Sequence, residues 1–267
     1  MSLLSKQSDG CWVKTDTGTS VSQTDVLQTI ASRSVILIGE THNRADHHLW
    51  QLDMCQNLRK IRAPIAIGFE MFPKRAQYIL DQWTRNQLSE PNFLKEVDWD
   101  SIWGFDPALY LPLFQFCKDH GISMIALNCN RPLVTEIGKQ GWENVDPATL
   151  EGLTPAKPAT VAYRQYLFDV TGGKRSDRKA THAGDPAFDR FVRAQQVWDR
   201  AFACNLNNFH KIEPDTLLIG LIGSGHLEYG GGTPYQLADL GLLDVVTLIP
   251  TDTNVVPQYI GNFVYKF

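Results

Sequence analysis

The residues of this chain best suited to chemistry are two histidines in glycine turns, Gly39-Glu40-Thr41-His42 and Gly223-Ser224-Gly225-His226. An imidazole can pass a proton, polarise a carbonyl or ligate a metal. Each turn follows an apolar run, residues 34–38 and 217–222, that reads as a buried strand. In open α/β sheets ligands bind beyond the carboxyl ends of the strands, so the two turns predict one shared crevice. Glu70 closes a third run, residues 65–69. A carboxylate in that position is costly to bury without a partner. Glu40, His42, Glu70 and His226 are therefore the candidate catalytic residues. His42 and His226 are the candidate ligands for zinc, manganese or iron, and the same set could work without metal as a general base with an orienting partner.

Further residues follow from position. Asn128 and Arg131 come after the strand at 122–127 and face the same crevice, where Asn128 could orient a ligand. Arg131 could pair Glu70 or clamp an acidic group, while Asn130 could simply cap the helix that Arg131-Pro132 opens. Gly223, Ser224 and Gly225 allow close backbone approach to a ligand, as does the run 230–232. Thr233-Pro234-Tyr235-Gln236 reads as a capping box with Thr233 as N-cap, and that helix start could hold a carboxylate or propionate. Asp199 and Gln195 sit four residues apart beside an aromatic stripe and must be hydrogen-bonded or wet, either supporting the ligand site, where Asp199 is a candidate, or forming a structural network. Asp46 reads as a helix cap, and adjacent His47 and His48 point about 100° apart, so their rings do not serve one centre. No Gly-x-Ser-x-Gly elbow, Walker loop or dinucleotide fingerprint is present, which argues against Ser224 as a nucleophile and against nucleotide cofactors.

The elements that must position these groups alternate. Strands are expected at 34–38, 65–70, 122–127, 217–222 and 244–249, with helices at about 47–61 after the Asp46 cap, 73–87, 107–120, 160–169 and 186–212. Leu49, Leu52, Cys55, Leu58 and Ile61 mark the apolar face of the first helix, and Gly121 ends the third. The fold class is α/β, a largely parallel central sheet with helices on both faces, as one domain over 1–267 with a helical insertion at about 142–184.

Composition narrows the function classes. The 267 residues are 43% hydrophobic and 20% charged, ordinary for a globular protein, and no apolar run approaches the roughly 20 residues that span a bilayer. A net charge of −4 offers no footprint for nucleic acid, and the basic stretch at 174–179 reads as a solvated loop. Five cysteines without C-x-x-C spacing read as small buried hydrophobes in a reducing compartment. The N-terminus lacks the apolar core of a secretory signal, which predicts a cytoplasmic location.

Taken with Asp46-His47-His48, Phe69-Glu70-Met71-Phe72, Trp103-Gly104-Phe105-Asp106, Leu109-Tyr110, Ala126-Leu127-Asn128, Gln195 and Trp198-Asp199, the two histidine turns resemble the ChaN-like family of the haem-binding-uptake and Tiki superfamily. Erythromycin-esterase-like and Tiki/TraB-like proteins are related branches. The resemblance covers most of the chain. It implies an α/β core with an added helical part and a haem- or iron-linked binding protein, with haem as cofactor and a homodimer as partner. The alternative it implies is a metal-dependent peptidase or esterase using the Glu/His cluster and a divalent metal, and a third reading is an inactive scaffold. Two departures stand out: no lipoprotein signal is seen, and Phe202 stands where the family often has methionine. Tyr110, Tyr163, Tyr166 and Tyr229 are the tyrosines near the site loops or the insertion, and none is assigned as an axial ligand.

Overall fold

The structure, a computed structural model, describes residues 10–171 and 180–267. The basic stretch at 174–179, the Gly172-Gly173 pair before it, expected as a loop, and the N-terminal segment at 1–9 lie outside the described residues. In chain order, β1 (Cys11–Lys14) and β2 (Thr19–Val21) lead into α1 (Gln23–Ile30), β3 (Val35–Ile38) and α2 (Ala45–Ile61). Next come β4 (Ile65–Pro73), α3 (Gln77–Thr84), α4 (Glu90–Glu96), α5 (Trp99–Ile102), α6 (Leu111–His120) and β5 (Ser123–Asn128). The remainder is α7 (Arg131–Gln140), α8 (Val161–Val170), α9 (Asp189–Ile212), β6 (Leu217–Leu221), α10 (Thr233–Asp239), β7 (Val245–Thr251) and β8 (Phe263–Lys266).

All eight strands form one sheet in the order β2-β1-β8-β7-β3-β6-β4-β5. The block from β8 to β5 is parallel throughout, and β1 adds antiparallel to β8 and to β2. The fold is thus the expected α/β architecture with a largely parallel sheet. The alternation along β3 shows why both faces need helices. Ile36 and Ile38 enter a core with Trp50, Phe69 and Phe114, whereas Val35 and Leu37 enter another with Phe202 and Leu206. A strand buried on both faces must be apolar at every position, and all four residues of β3 are fully buried. Gly68 in β4 permits the tight packing, since a Cβ there would lie 2.7 Å from Leu127.

Several expectations change. The buried residues of α2 are His47, His48, Trp50, Gln51, Met54, Cys55 and Leu58, with Leu49 and Ile61 more than half exposed. A strict three-residue repeat drifts around a helix of 3.6 residues per turn, so its ends leave the core. Asp46 lies inside α2, not at its cap: Arg44 is the N-cap, and Asp46 pairs with the Arg44 guanidinium and accepts from the His47 amide. Thr233 is likewise inside α10, with Gly232 at the N-cap. Helix α9 is buried on most sides between residues 196 and 207, because it packs against β5, α7 and α10 together. Four of the five cysteines are buried, and Cys11 is exposed on β1.

Candidate functional site

The two glycine turns are joined by backbone. The Ile222 amide donates to the Ile38 carbonyl at 3.2 Å, the Ser224 amide donates to the Glu40 carbonyl at 3.0 Å, and the Gly39 amide donates to the Leu248 carbonyl at 2.8 Å. Gly39 is needed for this approach, since a Cβ would lie 2.6 Å from the Ser224 hydroxyl oxygen. Neighbouring parallel strands β3, β6 and β4 thereby bring Glu40, His42, Glu70 and His226 to one rim of the sheet.

Glu40 Oε1 and His42 Nδ1 are 2.6 Å apart. The carboxylate fixes one ring nitrogen and leaves Nε2 of His42 with no hydrogen bond among the described residues, the arrangement by which a carboxylate orients a ligating imidazole. The His42 carbonyl is held in turn by the Tyr110 hydroxyl at 3.1 Å and by His48 Nε2 at 3.2 Å. His48 also lies 3.5 Å from Glu40 Oε2, so it backs the acid from behind. His47 turns the other way, accepting from the Thr41 amide and stacking on Phe267.

Glu70, buried inside β4 one residue past its last pairing with β6 at Phe69, accepts from the Gly223 amide at 2.5 Å and faces His226 Nε2 at 3.7 Å. These are the partners its burial requires. Arg131 does not pair with it. Asn128 supports Glu70 from the side, donating to its carbonyl at 2.9 Å and accepting from the Cys129 amide. On the far side of His226, Nδ1 is 2.8 Å from the fully buried carboxylate of Asp199.

The electrostatics follow from these pairs. Burial drives the His226 pKa down, but the Asp199 charge and hydrogen bond, with the Glu70 charge, outweigh it and raise it to about 9. For His42, burial also pulls down, and the Glu40 hydrogen bond with the charges of Glu70 and Glu40 turns the net shift upward. Glu40, His42 and Glu70 each offer an atom within 4.8 Å of the others, so this trio is the set among the described residues that could hold a cation. His226 stands outside it.

The crevice is a cavity of about 600 Å³. His42, Glu70 and His226 lie on one side, Trp103, Phe105 and Trp198 supply aromatic wall, and Arg75 and Arg131 also line it. Trp103 and Phe105 pack on the His42 ring at 4.6 and 5.3 Å between centroids. Asn128 and Gln195 line the cavity too. Asp199 does not line it and reaches a ligand only through His226. Gly223 acts through its amide on Glu70. The Ser224 hydroxyl is buried beside Gly39 without a hydrogen-bond partner, and Gly225 packs near the Tyr166 hydroxyl, so neither lines the crevice. At the start of α10 the Thr233 hydroxyl donates to the Asp199 carboxylate at 3.2 Å. Asn130 caps α7 without a side-chain bond, its oxygen instead accepting from Arg75 Nε at 2.9 Å.

Sequence reasoning missed Arg75, and it noted His48 and Tyr163 without giving either a role in this assembly. The signal for Trp103 and Phe105 was present as aromatics around Gly104, whose φ of +77° turns the chain between them. Among the described residues, none of Tyr110, Tyr163, Tyr166 and Tyr229 lines the crevice.

The parallel sheet with acids and imidazoles gathered at one rim defines an α/β protein with a ligand crevice at the carboxyl ends of its strands. The model of the family described as haem-binding uptake, Tiki superfamily, ChaN matches residues 26–237, and the chain belongs to that family. Its fold is similar to ChaN of Campylobacter jejuni, in a structure describing cofacial haem binding to that protein, with a TM-score of 0.73, 19% identity and coverage of 96% of each chain. It is also similar to a mutant of the erythromycin esterase EreC in its open conformation, with a TM-score of 0.52, 13% identity and coverage of 95% of this chain and 82% of the other. No curated protein matches the sequence. No helix among the described residues is long and apolar enough to cross a membrane.

Proposed function

We propose that this chain binds haem in the crevice lined by His42, Trp103, Phe105 and Trp198. Haem needs an axial donor, apolar walls and cations for its propionates. The observation that carries the reading is His42: one nitrogen is anchored by Glu40, the other is unengaged, and two aromatic rings pack on the imidazole. Arg75 and Arg131 would meet the propionates. Bound haem would supply an iron centre for storage or transfer. The chain's part is to fix the imidazole's orientation, exclude water with the tryptophans and neutralise the acid groups. Membership of the haem-binding uptake family supports the same reading.

The test is a haemin titration of purified protein followed at the Soret band. Saturable binding is expected, with the ligand-field signature lost in His42→Ala and affinity weakened about tenfold or more in the Arg75→Ala, Arg131→Ala double variant, the scale of lost charge-assisted hydrogen bonds. Wild-type-like saturation and spectrum in both variants would overturn it.

A second reading rests on the Glu40, His42 and Glu70 trio, which offers two carboxylates and one imidazole, a donor set suited to a divalent cation. A cation held there would act as a Lewis acid in ester or peptide hydrolysis. Glu70 would then be one of the ligands, steered by the Gly223 amide, and His226 beyond it the acid–base residue. Metal-dependent ester or peptide turnover, reduced about 10²-fold in His226→Gln, would favour this reading over the first.

A further inference from the structure

Four elements meet at one buried carboxylate. Asp199 on α9 has no exposed surface, and its two oxygens face three donors. Oδ1 lies 2.8 Å from His226 Nδ1 and 3.2 Å from the Thr233 hydroxyl, and Oδ2 accepts from the Tyr163 hydroxyl at 2.8 Å. Tyr163 belongs to α8, inside the helical insertion, and is itself buried. A buried carboxylate is tolerable only where hydrogen bonds replace its water, and this one is served wholly by protein groups.

The geometry points to Tyr163, Thr233 and Gly232 as positioning residues that lock Asp199 and, through it, aim His226 Nε2 at Glu70 in the crevice. With Tyr163 and Thr233 in place, the Asp199 carboxyl plane cannot rotate without losing a donor, so Nδ1 of His226 has one acceptor in one place. The Nδ1 proton is thereby fixed and Nε2 is left facing the crevice, as second-shell carboxylates do for other working imidazoles. Gly232 leaves the space this needs. A Cβ there would lie 2.7 Å from Asp199 Oδ1 and 2.9 Å from the Tyr163 hydroxyl, and closer still to the His226 carbonyl. The insertion thus reaches Asp199 through the Tyr163 hydroxyl.

Where haem is the ligand the inference rests on that reading, but its test does not. In ligand-free protein, an imidazole proton held between nitrogen and a buried carboxylate exchanges slowly and resonates far downfield of the amides. We expect one such signal from His226 in the wild type, absent in His226→Asn and Asp199→Asn and separate from that of the Glu40–His42 pair, which persists in both variants. It should shift in Tyr163→Phe, which keeps the ring packing, and shift or broaden in Thr233→Val and Gly232→Ala. Tyr166→Phe breaks only the neighbouring bond to Glu228 and should leave it in place. A haemin titration on the same proteins should show affinity falling severalfold in Tyr163→Phe and recovering in Tyr163→His if that ring restores a donor. An unmoved signal in both Tyr163→Phe and Gly232→Ala, or no protected imidazole proton in the wild type, overturns the proposal. Loss of haemin binding by the wild type with the signal shifts intact would instead count against the haem reading alone.

Discussion

Replacing Asp199 by asparagine should flatten the dependence of stability on pH. In the folded chain the His226 pKa stands at about 9 against an ordinary 6.5. At about 1.4 kcal/mol per pH unit of difference, the linkage is worth about 3 kcal/mol. Because the folded value is raised, this stability is fully present below pH 6.5 and is lost as pH rises through about 9. The groups facing the ring are Asp199 and Glu70, with the aromatic rings of Trp198 and Phe202 and, beyond Glu70, His42. The carboxamide of the Asp199→Asn variant keeps an acceptor for Nδ1 but lacks the charge that outweighs burial, so most of that stabilisation, about 3 kcal/mol, should go. Urea unfolding at pH 6, 7.5 and 9.5, at one ionic strength, measures this, provided the m-value is common to both proteins. His42 adds to the wild-type slope in the same direction and His47, whose pKa is lowered chiefly by burial, in the opposite one. Both contributions are shared by the variant, so the difference between the two curves isolates His226. Equal slopes for wild type and Asp199→Asn across this window would refute the reasoning.

Glu40→Gln should move the His42 titration downward, since burial would then act with less opposition. The midpoint of its Cε1 proton shift against pH reports this, and an unchanged midpoint would count against the pairing. Phe114→Ala empties the centre of the aromatic core, where Phe114 contacts Phe69, Phe72, Phe93 and Trp99 at 5.2–5.7 Å. A loss of about 3–5 kcal/mol is expected in urea unfolding. Gly68→Ala should cost about 1–3 kcal/mol by forcing Leu127 aside, and a neutral result would mean that the β4–β5 layer yields more easily than its packing suggests.

Much of this architecture could be read from apolar runs and glycines. The central parallel strands were legible because strands buried on both faces leave continuous apolar stretches. Strands β1, β2 and β8 were missed: they are three or four residues long, and Thr19-Ser20-Val21 carries no apolar signal. Glu40, His42, Glu70 and His226 could be placed together because glycine turns follow strand ends. The pairings could not. Asp199 stood out as a polar residue beside an aromatic stripe, but it and Tyr163 lie on helices whose faces are set by packing, and nothing local indicates that a tyrosine at 163 meets an aspartate 36 residues on. The capping box at 233–236 failed for a related reason. Thr233 is drawn to Asp199, and Gln236 is engaged by Lys157 and Arg200, so tertiary bonds outcompete the local ones.

The position of β6 between β3 and β4 has a consequence for the order of assembly. Strand β3 pairs only with β6 and β7, both of which leave the ribosome long after it, whereas β4 finds β5 earlier in the chain. Through most of synthesis the segment carrying Glu40 and His42 therefore has no strand to rest on, and its two edges are open. Arrival of residues 217–221 closes both edges of the gap at once, seating His42 beside Glu70 and delivering His226 in the following turn. The site is thus a late product of folding, and a nascent chain that stalls before β6 has the acids and imidazoles without any crevice to hold them.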